Sequence, residues 1–345
     1  MTQTAPGGAA APPRAGALAT SDATSPPDVG ARLEEYRREL TGYCYRMLAG
    51  AGDADDAVQE TMLRAWRAYD RFEGRSSLRS WLYRIATNVC FDQLGSSKRR
   101  ERPMGLGGPQ PPEIENFGAT LPEERWVEPV ADDDVLPREG DPAAMAVGRE
   151  SVRLAFVAAL QHLPPRQRAV LVLREVLRWS AAETAALLDT TVASVNSALQ
   201  RARATLGAKA LDREEARWSS VDDDLLNRYV DAFERYDMDA LVALLHEDAV
   251  LNMPPYTLWV HGPADIARWM LGPGHGCEGS RCLRVAANSS MAFGQYRASP
   301  DGGWTPWGLV VLEDDGAGHV TGITTFLDTA TWFPRFGLPD RLPPR

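Results

Sequence analysis

The stretch "LPPRQRAVLVLREVLRWSAAETAALLDTTVASVNSALQRARATL", Leu163 to Leu206, decides how the chain is read. Its punctuation is that of a helix–turn–helix. Pro164 and Pro165 open a helix that the apolar spacing carries from about Pro165 to Val176. A short helix covers Ala181 to Leu188, Asp189-Thr190-Thr191 makes the turn, and Thr191 is placed to cap the last helix. There Val195, Leu199, Ala202 and Leu206 recur at helical spacing as the buried stripe. Ala193, Ser194, Ser197, Gln200, Arg201 and Ala204 face away, with Asn196 and Arg203 on the flanks. Small and amide side chains near the N-terminal end suit base edges, and arginines further along suit phosphates. A plain helical hairpin shares this punctuation, so spacing alone leaves both readings open.

A polyanion-binding helix sits oddly in a chain of formal charge −10 and pI near 5.1. The charge is unevenly spread. Residues 31–102 carry 14 basic against 11 acidic side chains, and residues 151–218 carry 10 against 6. Residues 103–150 carry 3 against 11, and residues 219–345 carry 9 against 17. Two mildly basic blocks alternate with two strongly acidic ones, and only the basic blocks are candidates for polyanion contact.

The first basic block contains "GDADDAVQETMLRAWRAYDRF", which predicts a helix from about Ala54 to Tyr69. Asp53 is placed as its cap, and Asp55 and Asp56 suit its positive first turn. "EGRSSLRSWLYRIATNVCFDQLGSSKRR" follows, with Gly74 as breaker and Ser76 or Ser77 as cap. Leu78, Leu82, Ile85 and Val89 form its buried stripe. The opposite side carries Ser80, Trp81, Arg84, Thr87, Asn88 and Phe91, and the cluster Lys98-Arg99-Arg100 ends it. A solvated helix would not need large aromatics on its polar side. Rings beside Arg and Asn suit unpaired bases, where each stack is worth about 1–3 kcal/mol.

Together these two blocks resemble the sigma-70 superfamily, and more narrowly the extracytoplasmic-function (ECF) sigma factors, which keep regions 2 and 4. "DADDAVQETMLRAWRAYDRF" is similar to region 2.1–2.2, which implies docking of Asp55, Asp56 and Gln59 on the β′ clamp helices of core RNA polymerase. "SSLRSWLYRIATNVCFDQLGSSKRR" is similar to regions 2.3–2.4. That implies −10 promoter DNA contacts by Trp81, Arg84, Thr87, Asn88, Phe91, Lys98, Arg99 and Arg100. The helix–turn–helix is similar to region 4, which implies −35 contacts by Ser194, Asn196, Ser197, Gln200, Arg201 and Arg203, and a touch on the β flap. Many relatives carry a basic residue beside the Ser of the recognition helix, whereas this chain has Asn196-Ser197-Ala198. The resemblance also accounts for the modest charge, because the polymerase supplies much of the grip on DNA.

The length of 345 residues suits several domains. Residues 1–30, all Ala, Pro, Gly and Thr in character, predict a disordered tail. Residues 31–102 and 148–212 read as two all-α sigma domains. Residues 103–147, with 8 Pro and 5 Gly, read as an acidic linker too broken for helix and too polar for a core. Residues 219–345 extend past region 4. "SVDDDLLNRYVDAFERYDMDALVALLHEDAVLNMPP" predicts two helices and a strand, with His246-Glu247-Asp248 at a helix end, and "GPADIARWML" predicts another helix. "CLRVAANSSMAF", "GQYRAS", "WGLVVLED" and "HVTGITTFLD" are strand candidates for an antiparallel meander. That is an α+β pattern. It resembles the SnoaL-like domains of the nuclear-transport-factor-2 superfamily, cone-shaped sheets wrapped by helices around a pocket.

That resemblance implies a cup with His246, Met253, Trp259, Phe293 and Phe326 as candidate lining, and an unknown small ligand as a partner. It also raises an alternative, a SnoaL-like isomerase or cyclase fused to a DNA-binding module. Such an enzyme needs a carboxylate or imidazole aimed into an apolar cavity, and His246, Asp248, His261 and Asp265 are the candidates. His275, Cys277 and Cys282 in "HGCEGSRC" fit no standard zinc module, so free thiols are expected and no metal or cofactor. Four scattered cysteines make no disulfide scaffold. No apolar run suggests a membrane span or a signal peptide, so a cytoplasmic, reduced protein is expected.

Overall fold

The computed structural model describes residues 1–2, 29–95, 100–118, 120–210 and 222–344. The tail expected over residues 1–30 lies outside these apart from its ends, as do Lys98 and Arg99. The first basic block folds as α1 (Val29–Glu34), α2 (Arg37–Leu48), α3 (Ala51–Ala68) and α4 (Leu78–Leu94). α3 buries Ala54, Ala57, Val58, Thr61 and Ala65. It starts earlier than Asp53 capping would allow: Gly50 is the N-cap and offers no side chain. The first-turn amides need acceptors all the same. They find the distant Glu128 carboxylate, which accepts from Ala51 N at 2.7 Å and Gly52 N at 3.3 Å. α4 begins as the sequence predicts, with Ser80 N donating to Ser77 Oγ at 3.1 Å.

The segment read as an unpacked linker is built into the core. It contains α5 (Asp132–Val135) and α6 (Pro142–Glu150), and Trp126, Val127, Val130 and Val135 are buried. Composition missed this because single apolar side chains between prolines pack against remote partners and show no local period.

The second basic block comprises α7 (Leu154–Leu160), α8 (Pro165–Leu171) continuing into a π turn at Val172–Val176, α9 (Ala181–Leu187) and α10 (Val192–Ala210). Ser180 and Glu183 form a capping box at α9, and Ser194 N donates to Thr191 Oγ1 at 3.1 Å at the head of α10. Val195, Leu199 and Ala202 are buried as the spacing predicts.

The C-terminal part opens with α11 (Asp223–Glu234) and α12 (Met238–Val242), then β1 (Leu245–Asn252), β2 (Trp259–His261) and α13 (Pro263–Leu271). β3 (Arg281–Ala287), β4 (Ser290–Ala298), β5 (Trp304–Asp314), β6 (Val320–Phe326) and α14 (Thr329–Arg335) complete it. The sheet order is β2-β1-β6-β5-β4-β3. β3 to β6 form the expected antiparallel meander, but β1 joins β6 in parallel, so the sheet is mixed. His246-Glu247-Asp248 lies on β1, not at a helix end. The candidate strand "CLRVAANSSMAF" is cut at Asn288 and Ser289, whose φ values of 52° and 50° make a two-residue hairpin turn; "GQYRAS" belongs to the same β4.

One sheet face, with α11 to α13, encloses Leu251, Phe293, Val310 and Ile323. The other carries Tyr296, Leu309, Val311 and Phe326 under Trp332 and Phe333 of α14, and its core is continuous with that of the helical blocks. The β3–β4 turn is the junction. Asn288 Nδ2 donates to Tyr45 Oη at 2.7 Å and to Val152 O at 2.8 Å, and its Oδ1 accepts from Val130 N at 3.0 Å.

Beside this turn, Asp132 accepts from Ser289 N at 2.7 Å, and burial lifts its carboxyl to about 6. A carboxyl raised on folding contributes most below its unfolded value near 3.8, and the contribution fades as pH rises towards about 6. Asp132→Asn should therefore gain about 1–3 kcal/mol at neutral pH and flatten the stability profile between those values. Urea titrations at stepped pH check this, and a profile unchanged by the substitution would refute it.

Candidate functional site

On α10 the sequence-predicted reading face is open: Ser194, Asn196, Ser197, Gln200 and Arg201 are exposed. Arg203 is exposed too, and pairs with Glu175 at 2.7 Å. Capping by Thr191 leaves the first turn of this helix presented outward with its small side chains unobstructed.

On α4, Arg84 and Asn88 are exposed while Trp81 and Phe91 are half-buried. Trp81 packs on Phe72 at 5.0 Å and Tyr69 at 6.5 Å between ring centroids. Arg84 Nη2 donates to Ala186 O of α9 at 2.6 Å, so the two basic blocks touch. Two expected DNA contacts are corrected. Thr87 is buried, donating to Tyr83 O at 2.7 Å and sharing a 2.8 Å bond with Tyr43 Oη; a hydroxyl that bonds the preceding turn points inward. Arg100 is buried, with its charge matched by Asp53 and Glu128, each at 2.7 Å. Burying a guanidinium needs such partners, and they hold it away from solvent.

On α3, Asp55, Asp56 and Gln59 are exposed on one side. Leu63 and Trp66 continue that side, 42% and 64% exposed. The sequence signal for them was available: both fall out of step with the buried stripe of Ala54, Val58, Thr61 and Ala65. Asp55 is met by Arg335 of α14 at 2.7 Å.

The C-terminal part encloses a cavity of about 200 Å³. Met253 and Phe293 line it as expected. The other three candidates do not. His246 sits on the outer side of β1, where its Nδ1 accepts from Asp248 N at 3.1 Å. Trp259 donates to Gly107 O at 2.9 Å. Phe326 lies on the opposite sheet face, against Trp332. Strand alternation decides this, since β4 aims Phe293, Gln295 and Arg297 inward together. Gln295, Arg297 and Trp307 are lining residues the sequence reading missed, and so are Ile114 and Phe117 from the segment between the two blocks. Asp248 faces His261 at 3.5 Å and Asp265 pairs with Arg268 at 2.9 Å, both at the surface. Cys277 Sγ accepts from Arg297 Nη2 at 3.1 Å, and His275 faces Glu278 at 3.6 Å. All four cysteines are free thiols. Among the described residues no group of three His, Cys, Asp or Glu could hold a metal ion, and no helix is long and apolar enough to cross a membrane.

The structure thus presents an exposed face on α10, exposed Arg84 and Asn88 on α4, an exposed acidic face on α3, and an appended α+β cup. Comparison with known proteins gives the family. Residues 33–100 match Sigma-70 region 2, residues 153–206 match Sigma-70 region 4, and residues 226–327 match the SnoaL-like domain. ECF RNA polymerase sigma factor SigG of Mycobacterium tuberculosis is 47% identical over 323 residues, 91% of this chain and 85% of that protein. SigJ of the same organism is 29% identical over 251 residues, 70% of this chain and 71% of that protein. The crystal structure of SigJ shares the fold, with a TM-score of 0.58 at 22% identity over 90% of this chain and 99% of that chain. The chain belongs to the ECF sigma factors of RNA polymerase and carries a SnoaL-like C-terminal domain. By family it is a transcription initiation factor and not an enzyme, and such factors bind core RNA polymerase and promoter DNA.

Proposed function

We propose that this arrangement is a resting, closed form of the sigma factor, held by the C-terminal domain, and that it opens before a promoter is read. The observation that carries this is the Arg84–Ala186 bond between α4 and α9. A −10 and a −35 element lie about 20 base pairs apart, on the order of 70 Å at about 3.4 Å per pair. Two blocks in direct contact cannot span that distance. The C-terminal domain ties them together by charge as well as by core. Its acidic strand β5 meets the basic blocks through the Arg102–Glu313 pair and the Arg153–Asp314 pair, the latter at 3.4 Å.

In the opened factor, Asp55, Asp56 and Gln59, with Leu63 and Trp66, dock on the β′ clamp helices. Trp81, Arg84, Asn88 and Phe91 act at −10. Ser194, Asn196, Ser197, Gln200, Arg201 and Arg203 act at −35, beside the β flap. The functional units are residues 31–102, 148–212 and 219–345, working in the cytoplasm. The C-terminal domain binds and regulates: its cavity is lined mostly by apolar and aromatic side chains, with Gln295 and Arg297 among its few polar groups, a lining suited to holding a ligand.

The test is a cross-link. Cysteines at Arg84 and Ala186, in a Cys282→Ser background, are joined by a short bismaleimide. The cross-linked protein should open the promoter far less than the unlinked double variant, whose own level with core polymerase is the reference because Arg84 is replaced in both. Equal opening by both would overturn the closed-form reading. In the same assay Arg201→Ala should weaken binding at all −35 sequences about equally and lower the salt slope by about one, as a phosphate contact does. A change in base preference would instead put Arg201 among the sequence-reading side chains.

A further inference from the structure

We propose that the C-terminal cavity binds a small carboxylic acid with an apolar body, its carboxylate held by Arg297. This rests on the cavity itself and is independent of the closed-form reading. The lining is mostly apolar and aromatic, Tyr229, Phe233, Leu251, Phe293 and Val310 among it. Its polar groups include Arg297 and Gln295, which follow Phe293 at alternate positions of β4. Gln295 is buried and donates to Ser280 Oγ at 3.1 Å, which fixes its amide beside the guanidinium.

Half-buried Arg297 is placed unlike the buried arginines of the domain interface. Its guanidinium lies over the Trp307 ring, 3.1 Å from the centroid, and one Nη donates to the Cys277 sulfur. Its Nε is buried without an acceptor. No carboxylate pairs with it among the described residues, whereas Arg100, Arg102 and Arg153 are each matched by one. A fixed, half-buried cation in an apolar cavity, supplied only with a weak sulfur acceptor, suits an incoming anion. A carboxylate matches the guanidinium fork in two hydrogen bonds.

Size limits the acid. A cavity near 150 Å³ holds benzene, so about 200 Å³ takes one ring or a short chain plus the carboxylate, about ten non-hydrogen atoms. Phe117 also lines the cavity, 4.4 Å from Tyr256 and 5.2 Å from Trp269 between ring centroids. It comes from the segment that joins the two promoter-reading blocks. That segment is bonded to the cup by Gln110 N to Trp259 O and Leu121 N to Pro255 O, each at 3.0 Å. An occupant would therefore touch the connection between the blocks directly.

The experiment uses the full-length protein and two probes of one shape, hydrocinnamate and its primary amide. Binding is followed by calorimetry and by tryptophan fluorescence, since Trp269 and Trp307 line the cavity. The acid should bind at least about tenfold more tightly than the amide, the scale of a charge-assisted pair. Arg297→Met should abolish that preference while changing amide affinity less than about threefold, and Arg297→Lys should recover part of it. The wild-type comparison stands by itself if the methionine variant does not fold. Failure of hydrocinnamate to bind saturably at millimolar concentration overturns the proposal. So does equal binding of acid and amide, or a preference that survives Arg297→Met.

Discussion

Asn288→Gly should open the molecule and raise transcription from a cognate promoter by about an order of magnitude or more. Asn288 is wholly buried, and its side chain bonds the first block at Tyr45, the connecting segment at Val130 and the second block at Val152. Glycine tolerates the positive φ at this turn and keeps the backbone bond from residue 288 N to Val130 O. The hairpin itself should therefore survive. What is lost is the amide, leaving Val130 N and Val152 O buried without it at a cost of about 1–3 kcal/mol each. A total near 3 kcal/mol moves a two-state equilibrium about a hundredfold. Small-angle scattering should show a larger radius of gyration, and proteases should cut the segment between the blocks faster. An unchanged radius together with unchanged transcription would sink the idea that this turn holds the closed form.

Asp55→Lys with Asp56→Lys should weaken association with core polymerase by about ten- to a hundredfold, since it reverses charge at the centre of the proposed docking face. Neither carboxylate is buried, so the fold should be retained, as circular dichroism would verify. Arg335→Glu is the control. It removes the pair that covers Asp55 but leaves the docking face intact, and an exposed pair is worth only about 0–1 kcal/mol. Polymerase affinity of this control should be equal or slightly higher. Undiminished co-purification of the double lysine variant with polymerase would rule out α3 as the docking helix.

The helical blocks were legible because their information is local. The stripe Val195, Leu199, Ala202 and the cap at Thr191 are periodic features that need no knowledge of the rest of the chain. The β3–β4 turn was half legible: Asn-Ser-Ser is turn chemistry, yet the apolar run around it reads as one continuous strand. Arg100 and Thr87 were misread for a different reason. Their partners, Glu128 and Tyr43, lie 28 and 44 residues away, and nothing in a basic cluster or an exposed-looking helix position announces them. The cavity was visible only in part, because which face of β4 looks inward depends on the register of the whole sheet. Once Phe293 is placed inside, the alternation Phe293-x-Gln295-x-Arg297 carries Gln295 and Arg297 to the same face.

The cover over Asp55 has a consequence for newly made protein. Asp55 emerges early in synthesis, both promoter-reading blocks are complete by Ala210, and Arg335 arrives near the end of the chain. At about 5–20 residues per second, the interval between them is on the order of ten seconds. During that interval the nascent chain carries a finished α3 and a finished α10 with no C-terminal domain beside them. If the proposed closed form governs activity, each round of translation passes through a brief state that lacks it, and stalling beyond Ala210 would prolong that state.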